Sequence, residues 1–180
     1  MVPEAQLEST ESGLVPKGDG WYVVSARDVQ WRAAEGRGAY ARLEGEPEFS
    51  QLGISVVALG PGDAMAMYHW EADQEDFLVL SGEALLIVEG EERPLKQWDF
   101  VHCPPETKHV IVGAGEGSLV LAVGARDKSV GENWGGYTVD ETAARHKASV
   151  EQDTTDPNEA YAPVPRRKPV PCREGWLPER

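Results

Sequence analysis

YHWEADQEDFLVLSG is the sequence of residues 68–82, and WDFVHCPPETKH is the sequence of residues 98–109. Each stretch combines residue types that are enriched in β-strands with a turn and with polar side chains. Because successive residues of a strand point to opposite faces, His69, Glu71 and Glu75 can share one face if the short link before Glu75 keeps the register. The two stretches therefore predict strands that aim polar groups at a common point.

These polar side chains suit a divalent metal ion. His69 supplies an imidazole, Glu71 and Glu75 supply two carboxylates, and His109 arrives from the second stretch. Donors of these kinds bind Fe, Mn, Zn and Ni, so the pattern predicts a divalent metal site and leaves the choice of metal open. Strand alternation does not settle which face His102 takes. If the polar groups point inward, four apolar residues should line the same pocket: Met65, Met67, Phe77 and Val79.

The sequence around the two stretches indicates an all-β protein. About eight short strands follow one another between turn signals, with no helical period between them, which is typical of a sandwich or a barrel. Several strands are apolar on both faces, as at Leu78, Leu80 and residues 85–88. One face would line the barrel, and the other must be covered by N-terminal strands or by a second subunit. We therefore expect a homodimer.

The chain divides into three parts by composition. Residues 1–20 are acidic and punctuated by Gly and Pro, which favours a flexible arm. Residues 21–126 carry the barrel with its N-terminal strands. Residues 127–180 form a Pro-rich C-terminal extension with a short helix near residues 141–148, and Tyr161 and Trp176 are candidate anchors for this extended segment.

The bulk composition excludes several classes of partner. The formal net charge of −14 argues against nucleic acid and against anionic membrane surfaces, because both repel an acidic chain. No run approaches the roughly 18 apolar residues that a membrane span needs. The first residues have neither a basic region nor an apolar core, and the two cysteines are far apart in sequence. We therefore expect a cytoplasmic protein with two free thiols and no signal peptide.

At these two stretches the sequence resembles the cupin superfamily. The first cupin motif has His-x-His, a Glu after three or four residues and a Gly six residues later, and His69, Glu75 and Gly82 match it. Glu71 stands where the motif has its second His, and Gly62 is one residue too early for the leading Gly. The resemblance covers roughly residues 53–124.

The second cupin motif matches less completely. Pro104 fits its proline and His109 fits its histidine. Three other motif positions are substituted, since Trp98 and Glu106 stand for two glycines and Gly113 stands for an asparagine. Both motifs nevertheless occur in order with a short gap between them.

The resemblance implies a double-stranded β-helix, which is a small jelly-roll barrel, and a metal held by His69, Glu75 and His109. Glu71 then has two interpretations. It is a fourth ligand, or it forms a metal-free pair with Glu75 in which one carboxyl keeps its proton, because two buried carboxylates close together do not both ionise cheaply. In the second case the two carboxyls are an acid/base pair or a vestigial site.

Two functions remain open at this point, besides a third reading as a purely structural homodimer scaffold. The first is a metal-dependent enzyme for a small molecule, of the oxygenase or the isomerase/lyase type, with Glu71 as fourth ligand or general base. The second is a non-catalytic cupin that binds a sugar or a metabolite through a substituted metal site. Because a fold does not fix a function, the catalytic reading rests on analogy.

Overall fold

The computed structural model describes residues 1–127 and 133–179. Strands dominate these ranges, and both helices are short. In chain order the elements are β1 (Gln6–Thr10), β2 (Gly13–Lys17), β3 (Trp31–Ala33), β4 (Ala39–Arg42), β5 (Leu52–Leu59), β6 (His69–Glu71), β7 (Glu75–Val88), β8 (Glu91–Lys96), β9 (Phe100–Cys103), β10 (His109–Ala125), β11 (Gly135–Tyr137), α1 (Glu141–Arg145), α2 (Pro157–Ala160) and β12 (Lys168–Val170). The predicted all-β class is confirmed.

The two longest strands, β7 and β10, hold the barrel together. They pair antiparallel along almost their whole length, with a register shift between Ala114 and Ser118 where both strands bend. On either side of the bend they take different partners: β7 pairs first with β9 and then with β8, while β10 adjoins first β6 and then β5. The result is two facing layers that share β7 and β10, which is the predicted double-stranded β-helix.

The interior between the layers is apolar. Alternate residues of the paired strands point inward, so that Phe77 and Val79 of β7 meet Val57 of β5 and Ile111 and Val120 of β10 in one buried cluster. His69 and His109 lie at one end of this interior, where β6 and β10 meet. The polar site is therefore built at the edge of an otherwise dry core.

The chain itself covers the outer apolar faces. Ile87 and Val110 pack under Ala143 and Ala148 of the C-terminal extension. On the other layer, the partly buried Trp176 lies with its ring 5.1 Å from that of Trp31. The sequence suggested N-terminal strands or a second subunit for this task, and the C-terminal extension performs much of it. The doubly apolar strands therefore no longer argue for a dimer.

Both ends of the chain carry structure that the sequence patterns did not indicate. Residues 6–17, within the predicted flexible arm, form the β1–β2 hairpin, and Gly18 N–H donates to the Glu46 carbonyl at 2.7 Å. The predicted C-terminal helix ends at Arg145, and α2 is a second one. Residues 128–132 and 180 of the predicted extension lie outside the described residues, and the three-part division of the chain stays a prediction.

Neither α1 nor α2, nor any other helix in the described part of the chain, has the length and apolar character needed to cross a bilayer. Both cysteines are free thiols, and Cys103 is buried beside the site.

Candidate metal centre

Three short pieces of backbone bring the predicted metal ligands together. His69 begins β6 and lies directly opposite His109, which begins β10. Glu75 begins β7, one tight turn after β6 ends at Glu71. Because β6 is held between β10 and β11, the backbone on both sides of His69 is fixed by pairing. The two imidazole rings are consequently neighbours, with centroids 4.9 Å apart.

The donor atoms of these residues converge. Glu75 Oε2 lies 3.5 Å from His69 Nε2 and 3.2 Å from His109 Nε2. One donor atom each of His69, Glu75 and His109 lies within 4.8 Å of the others. Both histidines are buried, with 9% and 2% of their surface exposed. This group of three could hold a metal ion.

Backbone carbonyls orient both imidazole rings. His69 Nδ1 donates to the Met67 carbonyl at 2.8 Å, and His109 Nδ1 donates to the Thr107 carbonyl at 3.0 Å. A carbonyl oxygen only accepts, so Nδ1 carries the hydrogen in each ring. In the neutral ring Nε2 then presents its lone pair toward Glu75. Histidines that bind metals are oriented in this way, with the other ring nitrogen donating to a carbonyl or a carboxylate.

Two buried atoms of this group lack a hydrogen-bond partner among the described residues. They are Glu75 Oε2 and His109 Nε2. Buried polar atoms are nearly always satisfied, and an exception needs an explanation such as an ion or a functional role. A cation bound by both atoms would satisfy them, so the residues present fit a divalent metal.

The pKa values of Glu75 and His109 are shifted in opposite directions. Burial favours a neutral Glu75, but interactions with His109 and His69 outweigh it and lower the pKa of this carboxyl to about 2. Burial likewise disfavours a charged His109, but the neighbouring Cys103 and Glu75 side chains raise its pKa to about 10. Without a metal, His109 and Glu75 therefore form a buried ion pair at neutral pH.

Glu71 lies beside this group and differs from it electrostatically. Its Oε1 is 3.9 Å from His69 Nε2, and it is not one of the three residues that converge within 4.8 Å. Burial, followed by the charge of Glu75, raises the pKa of Glu71 to about 7. The carboxyl can therefore hold or release a proton near neutral pH. A role as fourth ligand stays a prediction.

A cavity of about 320 Å³ opens onto the three donor atoms. Of the four predicted pocket residues, Met65 and Phe77 line it. Met67 instead packs against Tyr137, because the backbone is bent over residues 65–68 and strand alternation does not hold there. Val79 lies in the closed core of the barrel.

His102 does not reach the site. It is half exposed on β9, and its Nδ1 lies 2.6 Å from Asp76 Oδ1. The pair is on the outer side of the β7–β9 ladder, where Asp76 and His102 lie opposite each other. His102 is therefore a suitable control residue for experiments on the histidines that line the cavity.

Residues far from the two motifs complete the cavity wall. Tyr40 comes from β4, and Trp134, Tyr137, Tyr161 and Arg167 come from the C-terminal extension. The Tyr137 ring lies 5.9 Å from His69 and 5.4 Å from Tyr161. Aromatic residues in the extension were visible in the sequence, but nothing in their spacing indicated that they face the donor atoms.

Comparison with protein families identifies one matching region. The family described as "Cupin domain" matches residues 55–124. This range contains His69, Glu71, Glu75 and His109, and it leaves out the wall residues of both chain ends. No curated protein sequence matches the chain significantly.

Solved structures resemble the chain over about half its length. A candidate sugar phosphate isomerase from Acidithiobacillus ferrooxidans is 31% identical, over 43% of this chain and 52% of that one, with a TM-score of 0.42. A sugar phosphate isomerase of the cupin superfamily from Silicibacter pomeroyi is 27% identical, over 49% and 59%, with a TM-score of 0.45. The polyketide cyclase RemF from Streptomyces resistomycificus is 16% identical, over 59% and 80%, with a TM-score of 0.50. The chain thus spans little more than half the length of the two isomerases.

Proposed function

Because residues 55–124 carry a cupin domain, we propose that this protein is a metal-dependent enzyme that acts on a small molecule. One observation supports the proposal above all others. The donor atoms of His69, Glu75 and His109 converge, and Glu75 Oε2 and His109 Nε2 are buried without a hydrogen-bond partner among the described residues. A purely structural site would be expected to pair both atoms within the protein.

The two imidazoles and the carboxylate of the candidate metal site limit which metals and which reactions are expected. Two imidazoles and one carboxylate, with further positions left open, are the ligands of non-haem iron(II) oxygenases, and related sets also hold Mn, Zn and Ni. A divalent metal bound there would act as a Lewis acid and a template for a substrate at an open position. We therefore propose an oxygenase or an isomerase/lyase.

Glu71 is proposed as the residue that moves a proton. Its carboxyl borders the cavity beside His69 and has a pKa of about 7, which suits a general acid or base at neutral pH. Met65 and Phe77 supply apolar walls to the same space. The carboxyl of Glu71 and the apolar side chains of Met65 and Phe77 therefore line the same cavity.

Metal content tests the proposal directly. The protein is purified without added metal or chelator and subjected to elemental analysis beside the His69→Ala and His102→Ala variants. We expect about one transition-metal ion per chain in the wild type and in His102→Ala, and none in His69→Ala. His102 is a matched control because it is a histidine of the neighbouring ladder that does not face the cavity.

Absence of metal, even after reconstitution, would overturn the metalloenzyme and favour a binding protein in which Glu71 holds a proton beside the ionised Glu75. Glu71→His then separates a substituted site from a working one. In a substituted site the new imidazole should create metal affinity, because it restores the second histidine of the cupin motif. In a working site it should change the metal preference instead.

A homodimer is also proposed, on an observation separate from the apolar strand faces. Trp98 and Phe100 are 65% and 64% exposed, and β9, which begins at Phe100, pairs with no described strand other than β7. Unpaired edge strands with exposed aromatic residues favour association. Sedimentation should give a dimer that Phe100→Glu dissociates, whereas Val23→Glu, at another exposed apolar residue, should not. A monomeric wild type would refute the dimer. A cytoplasmic location stays a prediction.

A further inference from the structure

The cavity of the candidate metal centre has a cationic wall that lies outside the cupin match. Arg167 lines this cavity and belongs to the C-terminal extension, just before β12. Arg37, from the loop before β4, accepts a hydrogen bond from Arg167 through its carbonyl and is only 8% exposed. Both ends of the chain thus place a guanidinium beside the pocket that contains His69, Glu75 and His109.

These two arginines have no carboxylate partner among the described residues. The salt bridges of the described arginines involve Arg42, Arg93, Arg126 and Arg145, and neither Arg37 nor Arg167. The chain has 31 acidic and 17 basic residues, so carboxylates are abundant. Arg37 is buried, Arg167 is partly buried with a buried Nε, and charges withdrawn from water are normally paired because an uncompensated one is costly. The missing partner is therefore expected to come from outside the protein.

The hydrogen bonds of Arg167 leave part of its donor fork free. Its Nη2 donates to the carbonyls of Arg37 and of Met65, the latter at 2.9 Å. Its Nε is buried and has no hydrogen-bond partner in the described ranges. Two neutral carbonyls hold the guanidinium in place but do not neutralise it. A guanidinium held in this way matches the oxygens of a carboxylate or a phosphate.

Aromatic rings make the same position rigid. The Arg167 guanidinium lies 5.1 Å from the centre of the Tyr40 ring, and the Arg37 guanidinium lies 4.2 Å from that of Tyr161. The Tyr161 hydroxyl in turn accepts a hydrogen bond from Met67 N–H at 3.3 Å. Cation–π contacts favour the charged guanidinium without satisfying its N–H groups. The position is therefore prepared for an anion before the anion arrives.

The segment 65–69 links this wall to the candidate metal centre. The Met65 carbonyl holds Arg167, and the Met67 carbonyl orients His69. Four residues of backbone reach at most about 14 Å, so the cationic wall and the donor atoms lie within the reach of one small molecule. The cavity volume of about 320 Å³ is that of a site for such a molecule.

We propose that Arg167 binds an anionic group of the substrate, a carboxylate or a phosphate, while the rest of the substrate extends toward His69, Glu75 and His109. The inference rests on the proposed function for the role of the donor atoms. It adds that the C-terminal extension, and not the cupin domain, selects the substrate class. Arg167 is a binding residue in this scheme, and Tyr40 positions it.

Titration with simple anions tests this assignment. Inorganic phosphate and acetate are titrated separately into metal-free protein in the presence of a chelator, with isothermal calorimetry as the readout. We expect binding of at least one of them at one site per chain, and a dissociation constant at least about tenfold higher in Arg167→Met. The adjacent Arg166→Met, at an exposed arginine, should bind like the wild type. The anion that binds more tightly identifies the group.

Two further variants address the possibility that Arg167→Met does not fold and separate anion binding from metal binding. Arg167→Lys retains the charge and one carbonyl contact, so it should fold and still bind the anion more weakly than the wild type, even if Arg167→Met fails to fold. His69→Ala should bind the anion normally, which separates this assignment from the metal proposal. Unchanged affinity in folded Arg167→Met or Arg167→Lys, or no binding of either anion by the wild type, would show that Arg167 only fastens the extension to the barrel.

Discussion

His109 Nε2 lies 3.2 Å from Glu75 Oε2, and neither atom makes a hydrogen bond with the described residues. The two atoms come from the starts of β10 and β7 and are held from behind, His109 by the Thr107 carbonyl at 3.0 Å and Glu75 by its place at the strand end. This geometry is poor for a hydrogen bond but suits two ligands of one cation. The chemistry of the site depends on which positive charge, a proton or a metal, occupies the space between them.

Metal affinity should depend steeply on pH. In the metal-free protein, burial lowers the pKa of His109, but Cys103 and Glu75 raise it to about 10, so a metal must displace a proton from Nε2 at neutral pH. We expect the apparent affinity to rise about tenfold per pH unit between pH 7 and pH 9, because one proton is released per metal bound. Competition with a chromophoric chelator at several pH values measures this slope. An affinity independent of pH would contradict the protonated imidazole.

The raised pKa of His109 also makes the stability of the metal-free protein fall as the pH rises. His109 binds its proton more tightly in the folded chain than in the unfolded chain, so it stabilises the fold fully below about pH 6.5. That contribution is lost as the pH rises toward 10. Thermal melting in chelator should therefore show a fall in melting temperature between pH 7 and pH 10, and this fall should be smaller in His109→Gln.

Glu71→Gln should stabilise the metal-free protein at pH 8 and not at pH 4. Burial and Glu75 raise the pKa of Glu71 to about 7, so the folded chain is penalised when the carboxyl ionises above that pH. A neutral amide removes the penalty, which we place at roughly 2 kcal/mol above pH 7, while at pH 4 the carboxyl is already neutral. Chemical denaturation at the two pH values checks this. An equal effect at both would point to packing and not to ionisation.

Gly82→Ala should destabilise the fold by about 3 kcal/mol or more. Gly82 has φ of 74° at the bend of β7, and an added Cβ would lie 2.0 Å from the Gly117 carbonyl oxygen. Gly62→Ala is the matched control, because Gly62 has φ of 79° but nothing lies within 4 Å of its Cβ position. The control should cost only about 1 kcal/mol, from the backbone conformation alone. Equal losses in urea denaturation would exclude the close approach to β10 as the cause.

Glu44→Ala should destabilise the fold by about 2 kcal/mol, through loss of a buried carboxylate that is fully bonded. Glu44 accepts hydrogen bonds from Arg126 and from the backbone N–H groups of Phe49 and Ile54. Glu48→Ala removes an exposed carboxylate near the same arginine and should cost less than about 1 kcal/mol. Urea denaturation of both variants measures the difference. A larger loss in Glu48→Ala would contradict the structural role of Glu44.

Two substituted motif positions have a backbone conformation that is typical of glycine although neither residue is glycine. Trp98 and Glu106 stand where the cupin motif has glycine, and their φ angles are 75° and 68°. Such angles are uncommon for residues with a side chain and cost roughly 1–2 kcal/mol each. The sequence showed these substitutions as departures from the motif, yet the turns keep the conformation that glycine would adopt.

The sequence by itself determined the strand-rich class, the order of the two motifs and three residues that converge: His69, Glu75 and His109. The strand class and the order of the motifs are local features, since strand alternation and turn residues are set by neighbours in the chain. The convergence of His109 with His69 and Glu75 is a long-range contact, and its prediction depended on the resemblance to the cupin motifs. It did not determine that Met67 would leave the cavity, because the bend over residues 65–68 breaks the alternation on which that prediction depended.

Only the tertiary structure decided what faces the three donor atoms. Arg167 meets the Met65 carbonyl across 102 positions of sequence, and Tyr161 meets Met67 across 94. Contacts of this range leave no periodic signal, because they depend on how the extension packs over the finished barrel and not on any repeat within it. The sequence therefore indicated the residues of the candidate metal site, and the tertiary structure placed residues of the extension around it.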